Sequence, residues 1–141
     1  MVENNLLEDI RESGVLRIPV DFSPPPTDGF PPEFYIDPKN GKEWGIAPIM
    51  GRLMADDLEV RLECVDMPWP EHIPALLSGK VDLLPKHVNT PKRALLVEFA
   101  NGRFMLYRVT ALIQEKELIF DKEDLNQEGK IISVWYGSSI K

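Results

Sequence analysis

"WPEHIPALLSGKVDLLP", residues 69–85, combines the pattern of a helix with the pattern of the strand that follows it. Pro70 suits the first turn of a helix, where the N–H that proline lacks would be unpaired anyway. Gly79 suits the left-handed position that ends a helix. The residues after Gly79 are mostly apolar, as expected of a buried strand. The stretch therefore predicts a helix over 70–79 followed at once by a strand over 80–85.

The segments on both sides continue this alternation of strand and helix. Further strands are predicted at 15–20, 59–66, 104–114 and 130–137. Further helices are predicted at 3–14, 47–58 and 90–97, with a helical turn at 121–126. Prolines exclude regular structure from the loop 21–34, and a small hairpin then turns at Asn40-Gly41. Strands that alternate with helices predict an α/β layered fold with a mostly parallel sheet.

Composition narrows the class of protein. The chain has 141 residues, of which 43% are hydrophobic and 28% charged, as in one soluble globular domain. A formal net charge of −7 argues against a nucleic-acid or anionic-membrane binder. The first ten residues show no secretion signal. The lone Cys64 has no partner for an internal disulfide and is interpreted as a small core residue.

The sequence offers little material for catalysis. Two histidines and one cysteine do not provide the ligand spacing of a metal site. Ser78 lacks the nucleophile-elbow pattern of a hydrolase, and "GIAPIMG" does not match a phosphate-binding glycine loop. We therefore expect no enzyme activity, no metal and no cofactor.

The segment "TPKR", residues 90–93, is the strongest candidate for a binding site. Thr90 is a good helix N-cap, Pro91 fits the first helical position, and Arg93 falls at the third. Free backbone N–H groups and a guanidinium would then converge on one point, and a carboxylate suits both. The alternative is an ordinary helix start that carries a solvated arginine.

Other candidates lie where predicted parallel strands end, because ligands bind at the carboxyl edge of such sheets. Trp69 is either a stacking wall for a ligand or core lining. Asp21 either bonds a ligand amine or initiates the proline loop. Lys86 and His87 either add positive charge that favours an acidic solute or have structural roles. Asn89 is a further polar candidate in the same loop.

The order of the segments "LLEDIRESGVLRIPVD", "NGKEWG", "MPWPEHIPALLSGKVDLL" and "TPKRALLVEFA" resembles the extracytoplasmic solute-binding proteins of family 3. Members are amino-acid receptors of ABC transporters and also occur as sensor domains. The resemblance runs from about residue 6 to residue 139. It implies a periplasmic-binding-protein-like lobe of the type II, Venus-flytrap class, with lobe one over 1–112. Residues 113–141 would be the crossover and the first strand of an incomplete lobe two.

The resemblance also implies roles for individual residues. Arg93 matches the arginine that clamps the α-carboxylate of the ligand, and Trp69 matches the position that packs on the ligand side chain. Asp21 matches the acidic residue after the first strand. Ser138 and Ser139 resemble the turn that closes over the carboxylate. The resemblance implies a periplasmic or extracellular setting, with membrane association in Gram-positive hosts. The expected partner is a membrane permease or a sensor protein, and no nucleic acid is expected.

Some features depart from the family. The loop "PKHVN" is one residue shorter and more basic than usual, and the ammonium-binding aspartate of lobe two has no counterpart. The altered loop favours, as an alternative, a ligand-sensing or degenerate structural module of a signalling protein. A few relatives are dehydratases, but no acid–base pair supports that role here. The apolar residues of 115–141 are expected to fold back or to exchange with a second copy, giving a homodimer.

Overall fold

The computed structural model describes residues 5–22, 29–101, 121–125 and 127–133. The chain divides into two compact units, Met1–Glu98 and Phe99–Lys141, which are described separately. The division that the sequence predicts after residue 112 stays a prediction.

The first unit contains most of the described secondary structure. Its elements are α1 (Leu6–Ser13), β1 (Val15–Val20), β2 (Gly29–Phe30), β3 (Phe34–Ile36), β4 (Glu43–Trp44), α2 (Ile46–Asp57), β5 (Arg61–Asp66), a 3-10 turn (Trp69–Glu71), α3 (His72–Leu77) and α4 (Pro91–Ala94). In the second unit, α5 (Lys122–Leu125) forms the predicted helical turn.

The strands β1 and β5 pair in parallel, from Val15 opposite Arg61 to Val20 opposite Asp66. Two apolar residues of β1 are buried in one cluster with one residue from each of α1 and α2; these are Leu16, Ile18, Ile10 and Ala55. Val20 of β1 is buried in a second cluster with Phe34 and Ala47. The predicted parallel α/β layering is therefore confirmed. It also brings the carboxyl ends of β1 and β5, and the loops that leave them, to one edge of the sheet.

The predicted strand at 80–85 is wrong. Asp82 lies beside β1, and its backbone N–H donates to Arg17 O at 2.9 Å. The N–H of Arg17, however, donates to the carboxylate oxygen Oδ2 of Asp82 at 2.8 Å. The guanidinium of Arg17 reaches the same carboxylate at 2.6 and 3.0 Å. Because a side chain takes the place of the partner carbonyl, a regular ladder does not form here.

The predicted hairpin is confirmed and extended. β3 and β4 pair antiparallel, and the N–H of Asp37 donates to Lys42 O at 2.8 Å across the turn. β2 adds a third strand in a segment that the prolines predicted to be irregular, so that prediction is wrong at Gly29–Phe30. A Cβ atom at Gly29 would lie 2.5 Å from Phe34 O. The pairing therefore needs glycine at this position.

Three predicted helix boundaries are confirmed, whereas the helix predicted to run to residue 97 ends at Ala94. α1 ends at Gly14 with φ 69°, and Gly79 adopts φ 72° just after α3. Thr90 caps α4, because its Oγ1 accepts the N–H of Arg93 at 3.3 Å. Cys64, predicted to be a small core residue, is half-buried and packs against both apolar clusters, and burial raises the pKa of its thiol.

The predictions for the last third of the chain are mostly outside the described residues. The strand expected at 104–114 lies there, as do Ser138 and Ser139. Of the strand expected at 130–137, residues 130–133 are described and are not in a strand, and Ile131 is 96% exposed. Within the described ranges, no helix has the length and apolar character needed to cross a bilayer.

Candidate functional site

Asp21 and Trp69 are joined directly at the carboxyl edge of the parallel pair. Asp21 follows β1 and is only 4% exposed. Its carboxylate oxygen Oδ2 accepts the backbone N–H of Trp69 at 2.9 Å. Next to this bond, the N–H of Met67 donates to Val20 O at 2.8 Å. The Asp21 carboxylate thus fixes the start of the 3-10 turn that carries Trp69.

Three rings form a cluster at the same edge. The imidazole of His87 lies flat on the indole of Trp69, with ring centroids 4.5 Å apart and an interplanar angle of 2°. The ring of His72 packs at an angle against both, at 4.9 Å from Trp69 and 5.5 Å from His87. The structure therefore brings the predicted residues Trp69 and His87 together.

Sequence reasoning missed His72 as a member of this cluster. It is 1% exposed and lies three residues after Trp69 at the start of α3. Residues three apart on a helical turn share a face, which is the signal that could have found it. The Nε2 atom of His72 lies 3.3 Å from Met67 O.

Both imidazoles are held in their neutral form at pH 7. Burial lowers the pKa of His72. Burial also lowers the pKa of His87 to about 3, and the nearby His72, Arg93 and Lys86 side chains add to that effect. Among the described residues, the Nδ1 atom of each ring is buried without a hydrogen-bond partner. His87 consequently contributes a neutral ring and not the positive charge that was one of the two roles left open by the sequence.

Lys86 forms an ion pair with Glu33 that sequence reasoning also missed. The Lys86 ammonium contacts Glu33 Oε1, and the side chains are 15% and 9% exposed. Burial lowers the pKa of Lys86 to about 8 and raises the pKa of Glu33, because both charges have left water. The charges of Lys86 and Glu33 offset each other and His87 is neutral, so this group of side chains adds no net positive charge. The expected bias toward an acidic solute therefore loses its basis.

Arg93 reaches the same region from α4. Its Nη1 donates to Val88 O at 3.1 Å, and the residue is half-buried. Burial lowers the pKa of the guanidinium. The Arg93 charge in turn helps to lower the pKa of His87, so the two side chains lie within electrostatic reach. α4 has only four residues, so its dipole is small and the guanidinium carries the positive potential.

The remaining predicted residues of this loop are peripheral to the rings. Asn89 is exposed, and Thr90 is half-buried with its hydroxyl oxygen occupied by the cap to Arg93. In the part of the chain that the structure describes, no group of three or more His, Cys, Asp or Glu residues could hold a metal ion.

The space at the centre of the cluster is small. A cavity of about 10 Å³ is lined by Pro19, Phe34, Ala47, Trp69, His72, Pro85, Lys86 and His87. That volume holds about one water molecule. Sites for small molecules usually need hundreds of cubic ångströms, so protein side chains fill this one.

Several solved structures are similar to the chain. The arginine-bound form of domain 1 from TmArgBP of T. maritima is 30% identical with a TM-score of 0.57, and the match covers 66% of this chain and 69% of that one. An ancestral cationic amino acid solute binding protein is 31% identical with a TM-score of 0.54 over 63% of this chain. An ancestral cyclohexadienyl dehydratase is 29% identical with a TM-score of 0.53, and the match covers 63% of this chain and 34% of that one.

The chain corresponds to only 36% of the length of the ancestral binding protein. No curated protein sequence matches it. The sequence profile of the bacterial extracellular solute-binding proteins, family 3, matches residues 26–130, which is most of the chain. Together with the parallel layering and the similar structures, this match confirms the periplasmic-binding-protein-like fold. The chain belongs to the bacterial extracellular solute-binding proteins of family 3.

Proposed function

We propose that the chain captures a small amino-acid-like solute by its carboxylate, with Arg93 as the charge partner. Family membership supports the solute-binding role itself. The observation that carries the finer proposal is the half-buried Arg93 guanidinium within electrostatic reach of the ring cluster. Partial removal from water strengthens a bond between a guanidinium and a carboxylate, because the local dielectric falls.

The position of the site supports the proposal. Asp21 and the Trp69 turn lie where β1 and β5 end, which is the edge at which α/β sheets bind ligands. Asn89 and Thr90 supply polar groups in the loop that leads to Arg93. Ser138 and Ser139 are proposed to close over the carboxylate; they lie outside the described residues.

Transport is the setting that we propose for this binding. The solute-loaded chain would be presented to an ABC-transporter permease in a periplasmic or extracellular location, with membrane association in Gram-positive hosts. The alternative is a ligand-sensing or degenerate structural module of a signalling protein. Absence of binding to every amino acid tested would favour the degenerate module. One of the similar structures is an ancestral cyclohexadienyl dehydratase, so the absence of enzyme activity in this chain stays a prediction.

We further propose that the chain self-associates, because residues 115–141 include many apolar side chains. Light scattering at low micromolar concentration would compare the chain with a version that ends near residue 114. We expect a dimer for the chain and a monomer for the shorter version. Two monomers would contradict exchange.

Glycine and glycinamide provide the sharpest test of the carboxylate role, because they differ by replacement of the carboxylate with an amide. Titration calorimetry of the full chain should detect binding of glycine but not of glycinamide. The crystal structure of domain 1 of TmArgBP in its arginine-bound form supports testing one lobe by itself. Equal affinity for the two compounds would contradict the proposal.

A further inference from the structure

The flat contact between His87 and Trp69 places a side chain of the protein on a surface suited to a ligand. An indole at the carboxyl edge of a parallel sheet offers a wide apolar face for stacking. His87 covers that face with ring centroids 4.5 Å apart and an interplanar angle of 2°. His72 closes the adjoining side, and a cavity of about 10 Å³ remains. A solute side chain larger than a methyl group has no room there.

Neighbouring contacts fix the chain just before His87. Lys86, the preceding residue, forms its ion pair with Glu33, and both side chains are largely buried. Pro85 is buried just before it. A buried charge that loses its partner is strongly unfavourable, so this ion pair anchors the backbone from which the His87 side chain extends.

The polar atoms of this arrangement are incompletely satisfied. Within the described residues, His87 Nδ1 and Glu33 Oε2 are buried without a hydrogen-bond partner. Buried polar atoms without a partner reduce stability. The stacked position of His87 on Trp69 is therefore held at a cost in stability.

We propose, on the basis of the solute-binding function above, that His87 is a specificity-determining residue. Its ring occupies the place beside Trp69 where a solute side chain would stack, so the site accepts α-amino carboxylates with no side chain or a methyl group. Arg93 binds the carboxylate, and His87 excludes arginine-like and aromatic solutes.

Calorimetry on the full chain with glycine, alanine, arginine and phenylalanine tests this proposal. The wild type is expected to prefer glycine and alanine. His87→Ala opens the stacking face, so its affinity for arginine and phenylalanine should rise at least about tenfold, as pocket enlargement permits. His87→Phe keeps a stacked ring and should exclude these solutes as the wild type does. His87→Ser provides a second small variant if His87→Ala does not fold.

A second measurement separates the role of His87 from the solute-binding function. Imidazole should raise the Tm of His87→Ala, because it fills the vacated space on Trp69, and should leave the Tm of His87→Phe unchanged. Equal binding of glycine and arginine by the wild type would overturn the specificity role alone. The specificity role would also be overturned if His87→Ala and His87→Ser showed no gain in affinity for arginine and phenylalanine. If no amino acid binds to any variant while imidazole still stabilises His87→Ala, the proposed function fails although His87 does fill the space.

Discussion

The carboxylate of Asp82 takes the place beside Arg17 that a strand carbonyl would hold. It accepts the backbone N–H of Arg17 at 2.8 Å and two guanidinium bonds at 2.6 and 3.0 Å. The Asp82 side chain is 3% exposed and the Arg17 side chain 39% exposed. The contact links the segment after α3 to the central strand β1, and it thereby positions the loop that continues to Lys86 and His87.

Replacing Asp82 should therefore destabilise the first unit. In Asp82→Ala, the Arg17 N–H loses its acceptor and the guanidinium loses its partner. We expect a loss of about 1–3 kcal/mol in the free energy of unfolding, since Arg17 is partly solvated. Urea denaturation measures it. Glu63→Ala is the matched control, because it removes the exposed Arg61–Glu63 pair and should cost about 0–1 kcal/mol. Equal losses in the two variants would contradict the role of Asp82.

Replacing Asp21 should likewise destabilise the chain, and it should also alter the position of Trp69 at the candidate site. Asp21→Ala removes the acceptor of the Trp69 N–H and should cost about 1–3 kcal/mol of stability. Asp21→Asn keeps an acceptor oxygen and should cost less. Asp66→Ala removes a comparable but exposed bond from the Phe22 N–H, at 3.0 Å, and serves as the control. Near-ultraviolet circular dichroism should show a changed tryptophan signal for Asp21→Ala; an unchanged signal would argue against its positioning of Trp69.

Acid should destabilise the chain through His87. Its pKa is lowered to about 3 in the folded state from an ordinary value of 6.5, so below pH 6.5 the unfolded chain binds a proton that the folded chain does not. Stability attributable to this group is therefore complete above pH 6.5 and falls as the pH drops toward 3. Relative to His87→Phe, the wild type should lose about 1–2 kcal/mol between pH 7 and pH 5.

Urea denaturation of both proteins at the two pH values measures this difference. His87→Phe retains a stacked ring on Trp69 and leaves Glu33, Lys86 and His72 to titrate, so their contributions largely cancel in the comparison. Parallel pH profiles for the two proteins would show that His87 is not buried in its neutral form.

Local chemistry made much of the fold predictable from the sequence. Gly14 and Gly79 end helices because each adopts a positive φ that other residues disfavour. Thr90 caps α4 because its hydroxyl lies next to the N–H groups that need an acceptor. The edge of the sheet where Trp69 and Asp21 meet followed from the strand–helix alternation alone.

The features that were not predictable depend on residues far apart in the chain. Glu33 and Lys86 look like surface charges in sequence, and only the fold brings them together in a buried pair. The strand at 80–85 fails because the Asp82 side chain outcompetes a backbone acceptor from a distant segment. His87 has a positive or a neutral ring depending on burial, which the sequence does not reveal.

The most direct test of the central claim is the affinity of glycine for wild-type, Arg93→Ala and Lys92→Ala chains, measured by calorimetry under one buffer condition. Lys92 is an exposed basic neighbour on the same helix, so it controls for a general change in charge. We expect Arg93→Ala to weaken binding by about tenfold or more, because a charge-assisted bond contributes roughly 1.5–3 kcal/mol, and Lys92→Ala to leave it nearly unchanged. Binding of glycine by Arg93→Ala with the wild-type affinity would contradict the assignment of Arg93 as the carboxylate partner.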